Sequence, residues 1–311
     1  MVPPLQYSRY GWGVTDYRPA VCLVASPGKR SAILDLAATL DREGFAGIAC
    51  PSLGGTMALC TSLAHVTNEI PFFTSIQPIY LASAHELAGT ASHIQEISGG
   101  RFSLGIGVSH APALDRMGVT AGKPLADTAA YVEQIRKGAP EVPIVLATLR
   151  DKMLGLATVI ADGAVWANAS RSHMAAQLAR TPAAQRPGFF LGNMIPTVID
   201  ADKNAARAVH RKTLRMYAGL PNYRNYWKAA GYEDEMLAIE AALDRRDHDA
   251  IPGLMTDRWV DDNTLSGSAS EVRDGVEAWR EAGITTPVLT MSSTSGGQAK
   301  AIAELLAAYS D

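Results

Sequence analysis

The chain has 311 residues with a formal net charge of −3, 47% apolar and 19% charged residues. That balance describes a globular protein with ample core, and it leaves no electrostatic case for a nucleic-acid or anionic-membrane partner. The three cysteines, Cys22, Cys50 and Cys60, are too few and too irregularly spaced for a disulfide framework or a zinc knuckle. Met1-Val2-Pro3-Pro4 lacks a basic region followed by an apolar run, so no secretory signal is expected. No apolar stretch is long enough to span a bilayer. The expectation is a soluble cytoplasmic protein.

In chain order, the first β-rich run is Ala20 to Ala25, followed after Pro27-Gly28 by a helix carrying Ile33, Leu36, Ala37 and Leu40 at helical spacing. Gly44 stops it, and Phe45 to Cys50 reads as the second strand. A helix over Thr56–Thr67 leads to a third strand, Phe72 to Ile76. A helix over Ala84–Ile97 is closed by Ser98-Gly99-Gly100, and Phe102 to Gly107 is the fourth strand. Residues 109–122 read as a loop, Leu125–Lys137 as a helix and Val142 to Ala147 as the fifth strand. A helix through Met153, Leu154, Leu156, Ala157 and Ile160 precedes the sixth strand, Gly163 to Ala167. Phe189 to Ile199 is the seventh. Residues 203 to 258 read as mostly helical, with an aromatic cluster of Tyr223, Tyr226, Trp227 and Tyr232 that either packs or covers a pocket. Ser266-Gly267-Ser268 introduces a helix with Val272, Val276 and Trp279. Pro287 to Met291 is the eighth strand, and Ile302, Leu305, Leu306 and Tyr309 mark the last helix.

Strands alternating with helices predict parallel pairing, because parallel neighbours need a crossover. Eight such units suit a (β/α)8 barrel of one domain spanning residues 1–311, with insertions after strand four and between strands seven and eight. An open doubly wound sheet would call for a Gly-rich fingerprint after its first strand, and none stands there.

Ile97-Ser98-Gly99-Gly100-Arg101-Phe102-Ser103-Leu104-Gly105-Ile106-Gly107-Val108-Ser109-His110 is the most informative segment. Gly105 and Gly107 fall at a strand's C-terminal end, the active-site face of such barrels. They serve either a tight connection or the close approach of backbone to a flat ligand. The run resembles that of the luciferase-like monooxygenase superfamily, particularly its branch using the deazaflavin coenzyme F-420. Asp41 to Gly47, Pro143 to Ala147, Lys152 to Leu154, Ala161 to Gly163, and Glu281 to Ile284 with Pro287 to Leu289 resemble further family segments in the same order.

The resemblance implies a luciferase-like fold, a homodimer, and coenzyme F-420 or, alternatively, FMN at the strands' C-terminal ends. It implies a non-proline cis peptide at Ser75-Ile76 supporting the coenzyme's central ring. It also implies coenzyme contacts from Gly107, Val108 and Ser109, and from Ala147, Thr148, Leu149 and Arg150 toward the ribityl-phosphate arm. Ala167 and Asn168 are the next candidates. A helix opens after Arg150, and helix N-termini attract anions. Arg150 and Lys152 either add positive charge there or are solvated surface charges, the latter reading fitting Lys152 better.

His110 directly follows the coenzyme loop, where some relatives place an acidic proton donor. Its imidazole titrates near neutrality and suits proton transfer, or else it only hydrogen-bonds the coenzyme or nearby backbone. The other histidines have no spacing that suggests a metal. Many relatives carry an acidic residue and a histidine after strand two, where this chain has Cys50-Pro51-Ser52-Leu53. Cys50 is either a pocket-lining residue or a small buried apolar one. The expected function is hydride transfer between coenzyme F-420 and an organic substrate. The alternatives are an FMN-dependent monooxygenase and a flavin- or deazaflavin-binding protein without catalysis.

Overall fold

The computed structural model describes residues 18–51 and 54–310. Met1 to Pro4, Ser52 and Leu53, read above for a leader and for the strand-two position, lie outside the described residues. The described residues divide into two compact units, one within 18–166 and 178–192, the other within 167–177 and 193–310.

The first unit carries β1 (Ala20–Cys22), α1 (Arg30–Arg42), β2 (Gly47–Cys50), α2 (Thr56–Val66), β3 (Phe72–Thr74), β4 (Gln77–Pro78) and α3 (Ala84–Ile97). It continues with β5 (Phe102–Gly107), α4 (Ala111–Arg116), α5 (Pro124–Gly138), β6 (Ile144–Ala147), α6 (Asp151–Ile160) and β7 (Gly163–Ala167), whose last residue passes into the second unit. Strands β1, β2, β3, β5, β6 and β7 lie side by side in that order, and the five pairings between them are parallel. Their C-terminal ends therefore share one rim.

Register assigns the faces. Ala49 pairs with Phe73, Phe73 with Ser103, Gly105 with Val145 and Val145 with Gly163. Parallel partners share a face and successive residues alternate, so these residues form one surface. The Phe73 ring meets Phe190 edge-on there, centroids 5.3 Å apart. Cys50 pairs with Thr74 on the opposite face, against which α2 packs.

The second unit contains α7 (Arg171–Ala179), whose last residues return to the first unit, and β8 (Phe190–Ile199), which starts there. Five helices follow: α8 (Lys203–Ala218), α9 (Pro221–Ala229), α10 (Glu233–Asp244), α11 (Ile251–Leu254) and α12 (Asp257–Asn263). β9 (Leu265–Gly267), α13 (Ala269–Glu281), β10 (Thr286–Ser292) and α14 (Gln298–Ala308) complete it. β9 pairs in parallel with the end of β8. Ser268 caps α13 with a reciprocal Glu271 contact, so the sequence Ser268-Ala-Ser-Glu271 starts its helix locally.

Three features depart from the sequence reading. Residues 109–122 are not all loop: Pro112 opens α4, where its missing N–H costs nothing. α7 offers little apolar periodicity beyond Met174 and Leu178, so the sequence pattern does not mark it as a helix. β9 is three residues long and gains strand character only from its neighbour β8.

Candidate active site

The expected site begins where β3 stops. The peptide bond between Ser75 and Ile76 is cis, at the position the family resemblance implied. The Ser75 N–H donates to the Cys50 carbonyl at 2.7 Å, and Thr74 Oγ1 donates to the Gly105 carbonyl at 2.7 Å. The break between β3 and β4 is thus fastened on both sides.

The two glycines of β5 have different reasons. A Cβ on Gly105 would lie 1.8 Å from the Thr74 carbonyl oxygen, so glycine is required there by strand against strand, not by a ligand. A Cβ on Gly107 would lie 2.7 Å from Ala147 Cβ and 3.2 Å from the Ile76 side chain. Gly107, Ala147 and Ile76 therefore meet at the rim, with small or apolar groups and no charge between them. Beyond them, Ser109 takes a left-handed backbone, φ 65°, which turns the chain sharply into α4. His110 is the N-cap residue of α4, its carbonyl accepting from Ala113 at 2.9 Å. Burial holds the His110 imidazole below its ordinary pKa.

After β6, the Thr148 N–H donates to the Val165 carbonyl at 2.9 Å, tying the turn to β7. Arg150 is exposed and is the N-cap residue of α6, its carbonyl accepting from Met153 and Leu154. Asp151, in the first turn, is gripped by Arg180 at 2.7 and 3.2 Å. Ser75-Ile76, Gly107 to His110 and Ala147 to Arg150 thus come together on one rim of the first unit.

Cys50 follows a different course. It is fully buried, with its side chain hydrogen-bonded to Cys60 of α2. The Cys60 thiol beside it and its burial push the Cys50 thiol well up. Among the described residues no cluster of three metal-ligating side chains occurs, and no helix is long and apolar enough to cross a membrane.

Ala167 and Asn168 belong to the second unit. Asn168 has φ 56°, donates its N–H to the Met194 carbonyl at 3.0 Å and accepts from Trp227 Nε1 at 3.2 Å. Trp227 Nε1 and Ser170 Oγ converge on Asn263 Oδ1 at 2.9 and 2.8 Å, and the Ser170 N–H donates to the Tyr226 hydroxyl at 3.1 Å. Trp227 also stacks edge-on against Trp259, centroids 4.8 Å apart. Tyr226 and Trp227 are therefore buried scaffolding for the turn at residues 168–170. Ser170 and Asn263 carry no sequence signal for this role, since they stand far apart in the chain.

A family model described as luciferase-like monooxygenase matches residues 15–139 and 136–286. The 5,10-methylenetetrahydromethanopterin reductase of Archaeoglobus fulgidus is 28% identical over 268 residues, 74% of this chain and 80% of that protein. The solved coenzyme F-420-dependent tetrahydromethanopterin reductase of Methanopyrus kandleri superposes with a TM-score of 0.76 at 17% identity, covering 94% of this chain and 97% of that one. An F-420-dependent secondary alcohol dehydrogenase, solved with an F-420–acetone adduct, gives 0.68 at 16% identity over 94% and 100%. These likenesses establish the fold as the (β/α)8 barrel expected from the strand–helix alternation.

Proposed function

The chain belongs to the luciferase-like monooxygenase family, and on that premise we propose that it is an oxidoreductase using coenzyme F-420 to move hydride to or from a small organic substrate. The observation that carries this reading is the meeting of Ser75-Ile76, Gly107 to His110 and Ala147 to Arg150 on one strand-end rim. The fold shared with F-420-dependent enzymes over most of the chain supports it.

The residues present fit such a group. Gly107 and Ala147, with the apolar Ile76, form an uncharged floor for a flat ring. Val108, Ser109, His110 and Leu149 stand partly exposed above strands that are otherwise buried. Bound there, coenzyme F-420 would supply the carbon that gives or takes hydride. The chain's own share is to fix the ring's face, exclude water and handle a proton. Burial lowers the His110 pKa from its ordinary value, which favours the neutral imidazole. It is therefore ready to accept the proton released when an alcohol-like substrate is oxidised, and its protonated form returns it in the reverse direction.

A second reading, an FMN-dependent monooxygenase, is favoured by the family's own description. Titration with both coenzymes, followed by fluorescence quenching, separates the two. F-420 is expected to bind at least tenfold more tightly; tight FMN binding without F-420 binding would sink the leading reading. In an F-420 reduction assay over small alcohols, His110→Ala should keep coenzyme affinity and lose about 10²–10⁴ in turnover. The wild-type rate should rise with pH through a pKa below 6.5 and then level. Unchanged turnover in the variant would remove His110 from the chemistry.

A further inference from the structure

The residues that follow the coenzyme loop are held at both ends by one short stretch of chain. At the near end β4 lies along β5, with Gln77 opposite Ile106 and Pro78 opposite Gly107, and the Ile79 N–H donates to the Gly107 carbonyl at 2.9 Å. The next residue, Tyr80, reaches the far end: its hydroxyl donates to Asp127 Oδ2, in the first turn of α5, at 2.7 Å. The same hydroxyl oxygen takes a hydrogen bond from the Gly122 backbone, and a Cβ on Gly122 would fall 2.3 Å from that carboxylate. Two residues on, the Ala82 carbonyl accepts from Tyr131 of α5 at 3.0 Å. Between these anchors the segment is mostly exposed, and Leu114 is the buried side chain of α4. So few buried contacts would let the segment open locally without the anchors.

We propose that Tyr80 and Asp127 form a strap that closes the segment 108–123 and thereby positions His110 at the end of β5. Its functional meaning rests on the role given to His110 above; its mechanical claim does not. A hydroxyl donating to an ionised carboxylate is a charge-assisted bond, stronger than a neutral one, which suits a single strap holding an exposed segment.

Trypsin cleavage after the exposed Arg116, run without coenzyme, tests the strap. Tyr80→Phe and Asp127→Ala should each be cut about tenfold faster than wild type, because proteolysis follows the open population. Asp127→Asn, which keeps an acceptor, should stay within about threefold of wild type. The His110 ring signal in a proton–carbon correlation spectrum, identified by its loss in His110→Ala, should shift in Tyr80→Phe and hold in Asp127→Asn. The other histidine signals should not move. Wild-type cleavage in both Tyr80→Phe and Asp127→Ala, or an unmoved His110 signal, overturns the strap. If Tyr80→Phe melts early, the contrast between Asp127→Ala and Asp127→Asn decides. Failure of F-420 to bind wild type would overturn the proposed function alone, since neither readout needs the coenzyme.

Discussion

Gly105 sits against the Thr74 carbonyl so closely that a methyl group has nowhere to go, and backbone, unlike a flexible side chain, cannot step aside. Gly105→Ala is therefore expected to cost about 3 kcal/mol or more, read by denaturant unfolding, with β3 and β5 forced apart. A loss under about 1 kcal/mol would show that the strands can yield. Gly107 differs, because its neighbours are side chains of Ala147 and Ile76. From sequence the two glycines looked alike. Their divergence comes from the break in β3, whose position the family resemblance implies but whose contact with Gly105 only the strand pairing decides. The same holds for Cys50, whose outward face and Cys60 contact follow from register.

Among the elements, α2 ends under the guanidinium of Arg101. Arg101 donates to the carbonyls of Ala64, Thr67, Ile70 and Ser98 and to the Thr67 hydroxyl, at 2.7–3.2 Å. It thereby satisfies helix-end acceptors and ties α2, β3 and α3 together at the strands' N-terminal side. Asp41 accepts three consecutive N–H groups, from Asn68, Glu69 and Ile70. Asp162 binds the Ile144 N–H and Arg136 at 2.8 and 2.5 Å. The segments that carried the family resemblance thus split in two: Asp41, Arg101 and Asp162 fasten elements together, and the glycine end of β5 lies at the rim of the candidate site. Arg101→Met should lower stability by about 2–4 kcal/mol, since several acceptors lose a charged donor. F-420 affinity of the folded variant should stay within about threefold. A large affinity loss at unchanged stability would assign Arg101 to the site.

For the whole molecule, acid is the revealing variable. His210 of α8 is buried and donates Nε2–H to the Leu265 carbonyl at 3.0 Å; burial pushes its pKa down to about 4. A folded pKa below the unfolded 6.5 means that the unfolded chain takes the proton first. The contribution is complete above pH 6.5 and is lost as pH falls toward 4, on the order of 3 kcal/mol in all. His210→Gln should flatten the stability profile between pH 6.5 and 4 while leaving the rest of the acid limb. An identical slope in wild type and variant would rule out His210 as a source of acid sensitivity.

The strand–helix alternation and its approximate boundaries were legible in the sequence, because burying one face of each element imposes its period on the chain. The glycine-rich end of β5 and the position of the cis bond at Ser75-Ile76 were legible through family resemblance. Tertiary structure alone decided which way Cys50 faces, why Gly105 is glycine, and that Tyr80 reaches Asp127. Each of these depends on strand register or on a contact between residues distant in the chain. Such contacts are set by how elements pack, and local composition carries no record of them.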